Sequence, residues 1–306
     1  MSVKTNIEYL KIAINNREKL EKRYMILNED LNLGEMVLNA IKIKELLTAI
    51  KVAKEFQQPT EPYYNELRVV IAQNFSSNNE FNSFINACDS TVNTIRENPE
   101  TLNEIVELFL KYRSISDHTP KEWVQALIDK GSSKKLGNAG NDKVIEMAID
   151  SGFSFSNNDV DFFSHERSVI KYTKKIHEKI DKTLSFGNQD KNLDVILKSG
   201  QCYAFIEVKH LKEGGGSQDK QVKELISLLD RPYPGKIKMI AFTDGMLPNS
   251  LLRISEEEIL DPRLLVKEKR PTNIQKFKHR LVEALKTYHN SYWLNTSAYE
   301  EFLKDF

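Results

Sequence analysis

The sequence predicts an α/β protein with a helical domain over residues 1–125 and a mixed domain of strands and helices over residues 126–306. Two observations carry that division. Before residue 125, apolar residues recur at mixed three- and four-residue spacings, as one face of a helix requires. Beyond it, short runs rich in Val, Ile and Phe alternate with helical patterns, which is the order of an α/β core.

Residues 7–27, 38–56, 64–75 and 102–112 read as helices; Ile41, Leu46, Leu47, Ile50 and Val52 fit a helix face better than a strict alternation. Pro59 with Pro62, Ser76-Ser77-Asn78-Asn79 and Asn98-Pro99 punctuate these runs as loops or caps. No fixed-period repeat argues for a solenoid. Such a domain either supports its neighbour or serves DNA recognition or dimerisation, and the residues do not choose between these. Residues 121–128 give one more short helix, and residues 131–140 a small, polar, basic loop. Residues 141–151 then form a helix ending at Gly152, where a left-handed cap fits. Strands are expected at 193–197, 203–209 and 238–242, with a helix over 219–229 between the last two.

Composition narrows the class. The 306 residues carry zero formal net charge, which excludes a histone-like polycation, and 40% hydrophobic residues suffice to bury a core. Residues 1–120 hold a balance of −3 and the remainder +3, so a basic face directed at nucleic acid stays open. No run approaches the roughly 18 apolar residues of a membrane span, and no membrane partner is expected. The N-terminal residues lack the apolar run of a secretory signal, so export by that route is not expected. Cys88 and Cys202 are too few for a disulfide framework or a thiolate zinc site, which suits a reducing cytoplasm. The six histidines show no HExxH or HxH spacing, so a zinc hydrolase lacks its ligands.

The chemistry concentrates in one hairpin. Residues 193–197 and 203–209 are joined by a short polar link containing Gly200, as an antiparallel pair would be. Side chains alternate along a strand, so Glu207 and Lys209 share one face while Ile206 and Val208 take the other. Charged groups two residues apart on an otherwise apolar strand are costly to bury without a purpose or partner. Asp194, near the start of the adjacent strand, brings a second carboxylate. Two carboxylates converging from neighbouring strands make a hard-oxygen site suited to Mg²⁺. Lys209 beside it could orient a water or stabilise negative charge in a transition state.

Asp194, twelve intervening residues and then Glu207-Val208-Lys209 resemble the PD-(D/E)XK nuclease signature, with Leu193 where the motif has proline. Glu207-Val208-Lys209 is the single Asp/Glu-x-Lys triplet in the chain. Glu146 on the preceding helix, the glycine-serine turn at 214–217 and the later Thr243-Asp244-Gly245 are similar in order to some GATC-cutting type II restriction endonucleases. The resemblance covers roughly residues 130–245 and implies a restriction-endonuclease-like core, a mixed β-sheet flanked by helices. It implies a Mg²⁺-dependent, type II site-specific deoxyribonuclease that hydrolyses double-stranded DNA. Asp194, Glu207, Lys209 and Glu146 would form the catalytic set, with Asp194, Glu207 and Val208 holding the metal. The alternatives are another nuclease of the same superfamily, acting in repair or on a mobile element, and a non-catalytic DNA-binding module on a nuclease fold.

One acid-acid-lysine set cuts one strand at a time, so a homodimer is expected, through the N-terminal helices or the aromatic residues 288–302. Lys134, Lys135, Asn138, Lys174, Lys175 and Gln221 are candidates for nucleic-acid contact. Each has an ordinary alternative as an exposed polar residue. Glu146 is either a ligand or a solvated helix residue. Residues 263–286 are a second basic stretch with the same two readings. His210 faces away from Glu207 if the strand is regular. Tyr288, Tyr292, Trp293 and Tyr299 read as core or dimer contacts.

Overall fold

The computed structural model describes residues 4–19, 23, 33–73, 79–88, 90–91, 95–96, 98–115, 124, 133–186, 192–211 and 216–306. The chain divides into two compact units, one formed by Met1–Lys22 with Lys135–Phe306 and the other by Arg23–Lys134. This differs from the expected division at residue 125, because the first 22 residues fold with the sheet. Helix α1 (Asn6–Asn15) opens on a capping box in which Thr5 and Glu8 satisfy each other's amides. The Asn6 amide then donates to the carbonyls of Leu285, Tyr288 and Ser291 at 2.7, 3.1 and 3.0 Å. Periodicity identifies such a helix but says nothing of which core it faces.

The second unit is helical among its described residues: α2 (Leu33–Glu55), α3 (Glu61–Gln73), α4 (Glu80–Ala87) and α5 (Glu100–Tyr112). It has its own core, where Ile43, Leu47 and Ile50 meet Leu67, Ile105 and Phe109. Phe109 meets Phe81 and Phe84 edge-on, each at 5.2 Å, the geometry that ring quadrupoles favour. The expected helix over 121–128 lies outside the described residues except for Val124.

In the sheet unit, α6 (Ser133–Asp150) occupies most of the segment expected to be a loop. Glycines at 137 and 140 read as breakers, each costing about 1 kcal/mol in a helix interior. The buried face of Val144, Ile145 and Ala148 overrides that cost, and Gly140 is itself buried. Gly152 takes φ +89°, and the amides of Gly152 and Phe153 close onto the carbonyls of Ile149 and Ala148 in the expected left-handed cap.

Among the described residues six strands follow, laid side by side in chain order. They are β1 (Ser154–Phe155), β2 (Arg167–Lys171), β3 (Val195–Ser199), β4 (Cys202–His210), β5 (Ile237–Asp244) and β6 (Ser291–Leu294). The β2–β3 and β3–β4 pairs are antiparallel, whereas β1–β2, β4–β5 and β5–β6 are parallel. Gly200 takes φ +57° in the β3–β4 turn, where glycine carries no steric cost. Helices α7 (Asp159–Ser164), α8 (Lys174–Asp181), α9 (Gly216–Leu229), α10 (Leu247–Leu251), α11 (Glu256–Leu260), α12 (Asn273–Thr287) and α13 (Thr296–Asp305) flank this mixed sheet. No helix among the described residues is long and apolar enough to cross a membrane.

The aromatic residues near the C-terminus resolve toward the core. Tyr292, Trp293, Tyr299 and Phe302 are all buried, so this segment does not offer them as a dimer surface. Trp293 is fully enclosed, and truncating it to alanine would cost about 3–5 kcal/mol.

Candidate active site

The site forms where β3 stops and β4 continues. Val195 is the first β3 residue paired with β4, opposite Ile206, so residues 207–210 run on past the end of their antiparallel neighbour. On that side the Val208 amide loses its ladder partner. Asp194 replaces it: its Oδ2 accepts from the Val208 amide at 2.8 Å, while its own amide donates to the Ile206 carbonyl at 3.0 Å. The other oxygen, Oδ1, accepts from the Asn141 side chain of α6 at 3.1 Å. Asp194 is therefore held at both oxygens. In a strand the amide and carbonyl of one residue point the same way, so the Val208 carbonyl is directed at this edge as well.

Glu207 is only 2% exposed, and its Oε1 accepts a hydrogen bond from the Lys209 ammonium. Alternation puts both on one face, as the sequence predicts. Burial pulls the Lys209 pKa down, but the charge and hydrogen bond of Glu207, then the charges of Asp194 and Glu224, outweigh it. The net result lies above the ordinary lysine value, so Lys209 is a cation at neutral pH. Thr243 pairs with Lys209 across the β4–β5 ladder and shares its face; its buried hydroxyl has no hydrogen-bond partner among the described residues.

Asn141 and Glu224 are not among the residues the sequence points to, and Thr243 enters there only within a triplet. Each carried a weak signal: Asn141 lies four residues before buried Ile145, and Glu224 three residues after Gln221, on one helix face in each case. Thr243 lies within the Thr-Asp-Gly triplet. Glu146 is not brought to the site. It sits on the exposed side of α6, about 140° around the helix from Asn141 at 100° per residue. Gln221 is half-buried on α9, one turn from Glu224.

The basic candidates divide. The side chains of Lys134, Lys135 and Asn138 lie outside the described residues, as does the turn at 212–215. Lys174 is exposed. Lys175 and Lys179 both bind Asp159, Lys175 at 3.0 Å, and these bonds hold the Asp159 carboxyl down at about 2. In the stretch 263–286, Arg263 grips Asp261 at 2.7 and 2.9 Å, and Lys278 and Lys286 donate to the carbonyls of Arg253 and Leu260. Those cations are engaged locally.

On the opposite face of the sheet a buried charged network adjoins the site. His210 points away from Glu207 and meets Asp244 through Nδ1 at 2.8 Å. Asp244 lies 3.6 Å from Lys143, which lies 3.9 Å from Glu18 and donates to Thr296 Oγ1 at 2.7 Å. Glu18 accepts from the amide and hydroxyl of Thr296 at 2.5 and 2.9 Å.

The donor set fits a hard divalent cation: two carboxylates and a main-chain carbonyl are all oxygen ligands. Among the described residues no three His, Cys, Asp or Glu side chains form a metal-holding group. A small cation here would take its remaining ligands from water and substrate, as Mg²⁺ ordinarily does. No protein family, curated protein or solved structure matches this chain at a significant level.

Proposed function

We propose that the protein is a Mg²⁺-dependent endonuclease that hydrolyses double-stranded DNA at a specific sequence, in the manner of type II restriction enzymes. The observation that supports this best is the convergence on one strand end of Asp194, Glu207, Lys209 and the Val208 carbonyl. The order of helix, three antiparallel strands, helix and parallel strand agrees with the restriction-endonuclease-like core that the hairpin resembles.

In this reading Asp194 and Glu207, with the Val208 carbonyl, hold the cation. When bound, such an ion neutralises a phosphodiester oxygen and acidifies water at the site. Asn141 fixes the rotation of the Asp194 carboxylate through Oδ1, and the Val208 amide fixes it through Oδ2. Lys209 is protonated, so it donates a hydrogen bond and does not act as a general base. Its role is to orient the attacking water or to stabilise charge building on the scissile phosphate. Glu207 holds Lys209 in place for this.

The test is incubation of the purified chain with unmodified plasmid and phage DNA, in Mg²⁺ or in EDTA. Discrete Mg²⁺-dependent bands are the expected result. A smear would remove the sequence specificity, and intact DNA the activity. Asp194→Asn and Glu207→Gln keep shape and a hydrogen-bond acceptor, so both should fold and lose cleavage by about 10² or more. A folded Glu207→Gln variant that cuts at the wild-type rate would refute the site.

A further inference from the structure

Helix α2 is apolar on two sides. Ala40, Ile43, Leu46, Leu47, Ile50 and Ala53 face the core of the helical unit. On the outer side, Leu38, Ile41, Glu45, Thr48, Val52 and Phe56 follow one another at three- and four-residue spacings. Leu38 is 66% exposed and Phe56 70%, with Ile41 and Val52 at 40% and 44%. Ile41, Val52 and Phe56 line an open groove of about 840 Å³ that Tyr63 and Ile115 complete.

We infer that this outer face binds the same face of a second copy of the chain, with the two α2 helices antiparallel across a twofold axis. Three features select that occupant. The apolar positions are close to symmetric about residues 46–47: Ile41 and Val52 flank that centre at equal distance, and Leu38 and Phe56 do so to within one residue. An antiparallel pair therefore sets Leu38 against Phe56 of the other copy, and Ile41 against Val52, as an isologous contact demands. Thr48 and Ala49, near the centre, are small enough for two helices to approach closely. Glu45 lies within the outer stripe and Lys44 beside it, so the groove carries one anion and one cation per copy and no net charge. The exposed apolar side chains amount to on the order of 500 Å² per copy, large for a monomer patch and a fitting core for a standard interface of about 800 Å² per partner. A neutral, apolar groove is the wrong chemistry for phosphate. This inference uses no part of the endonuclease reading.

The experiment is sedimentation equilibrium of the full chain without DNA, so its outcome is separate from any result on cleavage. The wild type is expected to be a dimer at ~10 µM, corresponding to a dissociation constant in the micromolar range or below. Ile41→Glu and Val52→Lys should each weaken association at least about 100-fold, with unchanged circular dichroism. Combined in one chain, the two substitutions should restore the dimer. Residues 41 and 52 lie about 16 Å apart along one helix, so rescue by contact within a copy is precluded. A monomeric wild type overturns the inference, and if Val52→Lys then lowers its Tm, the face is covered within the chain. A dimer that survives both single substitutions moves the interface elsewhere. Single variants that dissociate without rescue by the double variant refute the antiparallel register.

Discussion

Replacing Lys143 by methionine should destabilise the sheet unit strongly, and more at neutral than at acid pH. Lys143, Glu18 and Asp244 are 3%, 6% and 1% exposed as residues, so water screens none of them well. Charges 3.6 and 3.9 Å apart attract by about 4 kcal/mol each at an effective dielectric of 20, a gross figure set against the cost of burying them. Methionine keeps the length and removes the charge, stranding two carboxylates together. Losing one partner of a buried ion pair costs about 3–5 kcal/mol. For a unit of roughly 200 residues, at about 2–4 °C per kcal/mol, Tm should fall by about 6–20 °C.

The pH dependence has a definite sign. Burial raises the Glu18 pKa above its ordinary 4.5, against the opposing Thr296 hydrogen bonds and the Lys143 charge. A raised folded-state pKa contributes stability that is fully present below pH 4.5 and is lost as pH rises through the folded value. Removing Lys143 raises that value further. The gap between variant and wild type should then be narrowest below pH 4.5 and widest near pH 7. Thermal melts followed by circular dichroism at both pH values measure it. A fall of under about 2 °C at pH 7, or an equal fall at both, would show that the network is screened or already neutral.

Gly245→Ala should cost about 3 kcal/mol, because Gly245 takes φ +89° and a Cβ there would stand 2.4 Å from the Leu211 carbonyl oxygen. Urea unfolding reads this directly, and a loss under about 1 kcal/mol would refute it. Asp159→Asn should lose stability at neutral pH, since Lys179 and Lys175 depress the Asp159 pKa to about 2. That contribution is present above pH 3.8 and is lost as pH falls through about 2, so wild type and variant should converge there; a constant gap would exclude the ion pairs as its origin. If the protein cleaves DNA as proposed, its rate should show no alkaline fall from Lys209 below the ordinary lysine pKa of 10.5. A rate that instead rises with pH through an apparent pKa below that value, with the rise lost in Lys209→Arg, would make Lys209 a poised base.

The hairpin was legible because a strand has a period of two and its pairing is local. Glu207 and Lys209 had to share a face, and His210 had to leave it, whatever the rest of the chain did. Strands expected at 193–197, 203–209 and 238–242 correspond to β3, β4 and β5 with ends shifted by one or two residues. Strands β1 and β6 span two and four residues, too few to show a period, and β2 has five. They exist because longer neighbours offer them ladder partners. The allocation of residues 1–22 was equally invisible, since the bonds from Asn6 to the carbonyls of Leu285, Tyr288 and Ser291 link positions 279 to 285 residues apart.

Contact between elements explains the difference between Glu146 and Asn141. An acidic residue on the helix before the hairpin satisfies a sequence pattern, but a helix presents only about a third of its residues to one neighbour. Val144, Ile145 and Ala148 fix which third of α6 faces the sheet. That face puts Asn141 against the Asp194 carboxylate and turns position 146 outward. A carboxylate at position 141 would have repelled Asp194, whereas the amide donates to it and leaves its charge intact. If the site holds a cation through Asp194, the neutral donor is the better neighbour, because the carboxylate keeps both its orientation and its full negative charge for the ion. Asn141→Ala should then weaken Mg²⁺ dependence before it weakens the fold, raising the Mg²⁺ concentration for half-maximal cleavage by about 10-fold or more. An Asn141→Ala protein with unchanged Mg²⁺ response would leave the Val208 amide as the sole support Asp194 needs.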